Sequence, residues 1–250
     1  MSEDLKKVDA AARRVEDSIE NPTRRAAAST LWVLERVEGR LQVRVLPGEG
    51  VEPDLARGHG VCATPSDIDT QSGPGRSLQA PIFKAIGVKD GQRPRVLDGT
   101  AGLGSDTWLL AAAGCTVTCV ERNPTVHALL EDGLKRAQVE KPEIASRITL
   151  LPCQPTLAAL TAWNFAWQPE TIYLDPMFPG ERKTAEKKAM KVLRILAGDD
   201  ADDDALLAPA QALALRRVVV KRPTQAPHLD NKKPSLVFDG KGFRFDVYLK

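Results

Sequence analysis

Two short stretches of this chain carry residue types suited to chemistry. Residues 98 to 106 read DGTAGLGSD, placing Gly99, Gly102 and Gly104 directly after the apolar pair Val96-Leu97. Glycines at such a point can take positive φ and let the backbone approach a ligand within van der Waals reach. The spacing, G-x-x-G-x-G, differs from the G-x-G-x-x-G of dinucleotide enzymes and from the phosphate loop G-x-x-x-x-G-K-[ST]. NAD and ATP therefore lose ground. The next apolar run ends in Glu121, 23 residues after Asp98, a position from which an acid can accept both hydroxyls of a ribose. Glu121 could instead pair with Arg122 or Lys135 on the surface. A loop rich in backbone N–H groups, with Asp98 at its mouth and a ribose acid beside it, suits a ligand carrying an ammonium group and a ribose. S-adenosylmethionine has both.

The second stretch is IYLDPMFPG, residues 172 to 180, where Asp175-Pro176 and Phe178 follow another apolar run. Asp-Pro can simply begin a turn after a strand. It also resembles the (D/N)-P-P-(Y/F) motif of enzymes that methylate exocyclic amino nitrogens, and the chemistry of such amines explains the residue types. Their lone pair is delocalised into the ring, so they are poor nucleophiles. A carboxylate and a backbone carbonyl that accept the two N–H bonds favour a pyramidal nitrogen, and an aromatic ring such as Phe178 can stack on the base for about 1–3 kcal/mol.

The order of elements predicts how these residues are positioned. From about residue 76, helical and β-like runs alternate: helix 77–86, strand 95–98, helix 105–113, strand 116–121, helix 124–138, strand 148–152, helix 155–163, strand 171–175, helices 181–197 and 205–214, and strand 217–222. Strands 235–240 and 243–249, joined through Lys241-Gly242, form a terminal hairpin. Alternation of this kind predicts right-handed crossovers and a mostly parallel, doubly wound α/β sheet covered on both faces. In such sheets ligands lie at the carboxyl ends of the strands, where both stretches fall. Upstream, apolar spacing over 3–20 predicts an amphipathic helix ended by Asn21-Pro22, and the runs flanking Glu38-Gly39 predict a hairpin. The Gly-, Pro-, Ser- and Asp-rich stretch Pro47 to Gly75 reads as a linker or substrate-facing loop. The division expected is a small N-terminal α/β subdomain with linker, residues 1–72, and a main domain, residues 73–250.

At 250 residues the chain can bury a substantial core, and 42% hydrophobic with 27% charged residues is ordinary for a soluble globular protein. No membrane segment or targeting peptide is expected, and a cytoplasmic location is. Net charge is only +2, so any nucleic-acid surface must be a local patch. The four cysteines form no C-x-x-C pair and the three histidines show no ligand spacing; free thiols and no metal are expected.

Taken together, LDGTAGLGSDTWLLAAAGCTVTCVERNP, YLDPMFP and RRVVVKRP, with GPGR before the main domain and KGFRFDVY at its end, resemble the J-type family of bacterial 16S ribosomal RNA guanine-N2-methyltransferases over residues 73–250. The resemblance implies a class I, Rossmann-like methyltransferase domain with a seven-stranded sheet, S-adenosylmethionine as cofactor, and 16S RNA or the small ribosomal subunit as partner. It implies catalytic roles for Asp175, Pro176 and Phe178. Cofactor contacts are implied at Ser105, Asp106, Glu121, Arg122 and Asp175, beside the loop residues Asp98, Gly99, Gly102 and Gly104. Two departures stand out. The family commonly has Arg where Ser105 stands, and its pair of serines falls here in Cys153 to Thr156, where Gln154 or Thr156 replaces them at the adenine. Basic residues around the Asp-Pro stretch, Arg182, Lys183, Lys187, Lys188, Lys191 and Arg194, with Lys221-Arg222 and Arg76, are candidates to hold RNA phosphates, although a charged run is more often a solvated helix face. The competing readings are a methyltransferase acting on another amino nitrogen, in DNA, another RNA, protein glutamine or a small amine, and an RNA-binding protein of this fold without turnover. Intact Glu121, Asp175 and Phe178 argue against the last.

Overall fold

The computed structural model describes residues 25–27, 30–48, 51–70, 78–89, 91–176, 187–197 and 203–250. The expected helix over 3–20 lies outside them. The first described unit is a three-stranded antiparallel sheet of β1 (Arg25–Ala27), β2 (Thr30–Val37) and β3 (Arg40–Val45), in that order. The expected hairpin is β2–β3: Val37 faces Arg40 across the turn, and Glu38 and Gly39 take φ of 50° and 76°. Two consecutive positive φ values give a turn whose twist matches that of the strands. The strand β1 was not anticipated from the sequence.

The stretch after Pro47, expected to be a linker or loop, is anchored along much of its described length. The helix α1 (Pro53–Ala56) buries Leu55, Val61 bridges to Val43, and Ala63 is fully buried. Its polar composition concealed three apolar anchors, which are enough to hold a short segment to a sheet.

The main sheet comprises β4 (Arg95–Asp98), β5 (Thr116–Cys119), β6 (Ile148–Leu150), β7 (Thr171–Leu174), β8 (Arg217–Pro223), β9 (Leu236–Asp239) and β10 (Phe243–Leu249), in the order β6-β5-β4-β7-β8-β10-β9. The first five in that order are parallel, and β10 is antiparallel to both neighbours. The terminal hairpin has its expected turn, with Gly242 at φ 82°. The remaining helices are α2 (Pro81–Ile86), α3 (Ser105–Ala112), α4 (Pro124–Glu140), α5 (Pro142–Ala145), α6 (Thr156–Thr161), α7 (Lys188–Ala197) and α8 (Leu207–Leu213). Three are shorter than the sequence suggested. α2 starts at Pro81, which fits the first helical turn because its missing N–H is not needed there. α6 spans only 156–161, and α8 follows a 3₁₀ turn over Asp203–Leu206.

Side chains alternate across the sheet as the two-residue strand period requires. Leu97, Ile172, Leu174, Val218 and Val220 join α6 and α8 in one core, whereas Val96, Tyr173 and Val219 join α2 and α3 in the other. A third core lies between the N-terminal sheet and the main unit: Trp32, Leu34, Leu41 and Val43 meet Ala128 and Leu129 of α4 and Val192 of α7. Its rim is polar. Asp132 accepts from Arg36 at 2.7 Å, from Arg136 at 3.0 Å and from the Leu41 N–H at 3.2 Å. No helix among the described residues is long and apolar enough to cross a membrane.

Candidate active site

Strand order reverses beside β4: the chain runs outward through β5 and β6, then returns to place β7 on the other side of β4. The carboxyl ends on either side of such a switch leave a crevice. The glycine loop leaves β4 at this point, and each glycine meets a separate demand. A Cβ on Gly99 would lie 2.8 Å from Leu174 Cδ2 and 2.9 Å from Thr156 Cγ2. Gly104, at the N-terminus of α3 with φ 83°, would press a Cβ to 2.6 Å from Leu130 Cδ1. Gly102 has φ 54° and faces open space, which leaves its backbone accessible from the crevice.

Buried carboxylates organise the loop. Asp98 is only 1% exposed; it accepts from the Thr100 N–H at 3.1 Å and from the Thr107 hydroxyl. Burial drives its pKa up to about 7 against those two hydrogen bonds, with the charges of Asp106 and Asp175 adding to the rise. Asp98 thus braces the loop from inside and does not stand at its mouth as expected from the sequence. A carboxyl at the end of a strand faces inward or outward according to pleat parity, which the motif alone does not reveal.

Glu121 lies just beyond β5 and is buried, accepting from the Gly102 N–H at 2.9 Å through Oε2 and from the Asn123 N–H at 2.7 Å through Oε1. Burial raises its pKa, and the two backbone donors oppose the rise. Each oxygen retains a second lone pair, so the carboxylate fits two ribose hydroxyls without giving up the loop. Asn123 caps α4 by accepting from the N–H groups of Thr125 and Val126, and its side-chain amide donates to the Leu196 carbonyl of α7 at 2.6 Å. The candidate adenine segment runs alongside: the Gln154 N–H donates to the Glu121 carbonyl at 3.4 Å and the Cys153 thiol donates to the Arg122 carbonyl at 3.3 Å. Thr156 is buried beneath the loop with its hydroxyl donating to the Gly99 carbonyl at 2.6 Å, so it shapes the loop. Ser105 and Arg122 are exposed at the crevice margin.

At the end of β7, the Asp175 N–H donates to the Thr100 hydroxyl at 2.6 Å, tying this strand end to the glycine loop. Lys221 reaches in from β8 and donates to Asp175 Oδ2 and Asp106 Oδ2, both at 2.9 Å. The Tyr173 hydroxyl also donates to Asp106 Oδ2, at 2.6 Å. Burial raises the Asp175 pKa and Asp106 adds to it, while Lys221 pulls it down. Burial also works against the charge on Lys221, but Asp175 and Asp106 outweigh it and hold the ammonium above the usual lysine range. Lys221 therefore belongs to a charge cluster at the switch point, where the sequence had suggested a phosphate contact.

Its neighbour Arg222 corrects the same expectation in a different way. Residues 221 and 222 are consecutive in a strand and face opposite sides. Arg222 is 2% exposed and its Nε and Nη2 donate to the Pro227 carbonyl at 3.0 and 2.7 Å. It is an internal brace and is not available to RNA. On α7, Lys188 donates to the carbonyls of Arg57 and His59 at 2.6 and 2.8 Å, and Lys191 pairs with Glu52. These two lysines secure the segment around α1, whereas Lys187 is exposed with no partner among the described residues. Phe178, Arg76, Arg182 and Lys183 lie outside the described residues. Thr100, Thr107 and Tyr173 were not legible in the sequence, because hydroxyl groups inside a loop or an apolar strand carry no pattern. Asn123 was findable, since Asn-Pro before an apolar periodic run is an N-cap followed by a first-turn proline.

The model of a family described as "Putative SAM-dependent methyltransferase" matches residues 36–250. A protein of Photobacterium profundum named ribosomal RNA small subunit methyltransferase J is 52% identical over 176 residues, which is 68% of this chain and 68% of that one. This chain belongs to the J-type family of S-adenosylmethionine-dependent methyltransferases. A relative of the same name from Ectopseudomonas mendocina is 51% identical over 172 residues, covering 68% of this chain and 65% of its own length. Among solved structures, a SAM-dependent methyltransferase from Neisseria gonorrhoeae superposes with a TM-score of 0.63 at 31% identity, covering 86% of this chain and 81% of that one. The methyltransferase fold is therefore class I, and the enzyme uses S-adenosylmethionine. Free acceptor capacity on Glu121, the open side of Gly102 and the exposed N-terminal residue Ser105 of α3 fit that cofactor along the β4–β5 side of the crevice.

Proposed function

We propose that this methyltransferase transfers a methyl group from S-adenosylmethionine to the exocyclic N2 amine of a guanine in small-subunit ribosomal RNA, in the cytoplasm. The observation that carries the amine chemistry is Asp175. One carboxylate oxygen, Oδ2, is fixed by Lys221, while Oδ1 has no partner among the described residues, and the backbone at the same residue is pinned to the glycine loop through Thr100. The names of the J-type relatives support ribosomal RNA as the acceptor.

The bound cofactor supplies a methyl group on a sulfonium sulfur, which leaves with the bonding electron pair as the new N–C bond forms. Asp175 Oδ1 accepts an N–H of the amine, draws the lone pair out of the ring and aims it at the methyl carbon. As its bond to carbon forms the nitrogen becomes acidic and passes its proton to Asp175 Oδ1, to which it is already hydrogen-bonded, so no strong base is required. Positioning alone can remove several kcal/mol from such a barrier. Thr100 couples the position of Asp175 to the loop that holds the cofactor, and Phe178 is assigned to stack on the base. Glu121, Gly102 and Ser105 serve the cofactor, with Gln154 at the adenine.

Asp175→Ala is expected to cut methyl transfer by orders of magnitude with a smaller loss of cofactor affinity, and turnover is expected to persist in EDTA. The test uses subunits from a deletion strain, tritiated cofactor and digestion to nucleosides. Label in N2-methylguanosine is the expected result. Label in another nucleoside or in protein overturns the assignment.

A further inference from the structure

Lys221 is more than a counter-charge. A single neutralising partner for Asp175 could sit anywhere around it, but this ammonium sits 2.9 Å from both Asp175 and Asp106 and 5.6 Å from the centre of the Phe243 ring. Two carboxylates and an aromatic face hold it from different elements, so its direction is fixed. An ammonium has three N–H donors. Two are taken by Asp175 and Asp106, and the side chain remains 25% exposed.

Sheet order places Lys221 relative to the cofactor side of the crevice. The ribose acid Glu121 follows β5, on the far side of β4 from β7, whereas Lys221 projects from β8, on the opposite side of Asp175. The cofactor therefore approaches Asp175 from one flank, and Lys221 occupies the other. A base whose amine rests on Asp175 can lay the rest of its hydrogen-bonding edge along that flank, within reach of Lys221.

On guanine, that edge reads two donors, the N2 amine and N1–H, followed by the O6 acceptor. A carboxylate followed by an ammonium is its complement. We infer that Lys221 reads the target base: its third N–H donates to O6 of the guanine whose N2 amine is held by Asp175. Reading a base by its pairing edge in a pocket is how enzymes that act on an extruded base gain selectivity. Phe243, in an edge contact with Phe245 at 5.4 Å between ring centres, lies beside the ammonium in the same corner. This inference rests on guanine N2 as the acceptor.

The experiment compares two substrates and two enzymes. Target RNA is prepared with guanine or with 2-aminopurine at the modified position; the latter keeps the amine and lacks O6. Single-turnover rates and cofactor affinity are measured for wild type and Lys221→Met. If Lys221 donates to O6, the guanine-over-2-aminopurine preference of the wild type should fall by roughly 10- to 100-fold in the variant, the loss expected for a hydrogen bond from a charged donor. If Lys221 only steadies Asp175, both substrates slow by the same factor and the preference stays unchanged, which overturns the inference. Where Lys221→Met does not fold, the pair Lys221→Met with Asp106→Asn removes one of the stranded charges and is read against Asp106→Asn alone. Failure of the underlying reading is separate: wild type would then place no methyl on guanine N2 at all.

Discussion

Burial is the leading influence on the protonation of Asp98, Glu121 and Asp175, and the first two make separate predictions. Asp98 carries a pKa raised from 3.8 to about 7, so its folded form prefers the proton. Its stabilising contribution is complete below pH 4 and is lost as pH rises towards 7. Asp98→Asn can keep both hydrogen bonds, because the amide oxygen still accepts from Thr100 and the amide N–H can donate to the Thr107 hydroxyl. The variant should therefore match wild type near pH 4 and gain on it up to pH 8, by on the order of a few kcal/mol, read as a widening gap in Tm. A constant gap across that range would remove Asp98 from this role. Glu121 is proposed to hold the cofactor ribose, and Glu121→Ala should then weaken cofactor binding by roughly 10- to 100-fold in calorimetry through lost charge-assisted hydrogen bonds. Unchanged affinity in a folded variant would take it out of the site. The positions of Glu121 and Asp175 were legible in the sequence because each follows an apolar strand at the switch point. The roles of Asp98, Lys221 and Arg222 were not, since each depends on which way one side chain points.

At the scale of elements, the class I sheet was readable from the alternation of strands and helices, whereas the work of α7 was not. Its lysines looked like one basic face, but partners 129 to 139 residues away in sequence divide them. The structure thus separates two effects at the start of one helix. Lys187→Ala should weaken RNA binding across sequences and lower the slope of log affinity against log salt by up to about 0.7 to 0.9. Lys188→Ala should instead loosen the α1 segment, with faster proteolysis near Arg57 and His59 and a smaller change in slope. Equal slopes for wild type and Lys187→Ala would return this position to a solvated surface. The start of α3 is less tolerant: Gly104→Ala combines positive φ with a 2.6 Å approach to Leu130, so a loss of Tm together with weaker cofactor binding is expected.

Across the whole molecule, the N-terminal sheet and the main sheet share α4 as a common support. Leu129 is fully buried in the core between them, and Leu129→Ala should cost about 2–5 kcal/mol while leaving a single unfolding transition by both calorimetry and fluorescence. Two separated transitions in wild type would mean that the units stand independently. β10, the last strand in sequence, lies between β8 and β9, pairing Phe243–Leu249 with Pro223–Arg217 on one side. During synthesis, Val218–Val220 must therefore wait with an open edge until residue 249 has been made, and β9 has nothing to pair with in the meantime. An unpaired apolar edge is an invitation to association between nascent chains. Released chains ending at residue 242 should remain protease-sensitive and chaperone-bound, and chains that include residue 249 should close the sheet in one late step.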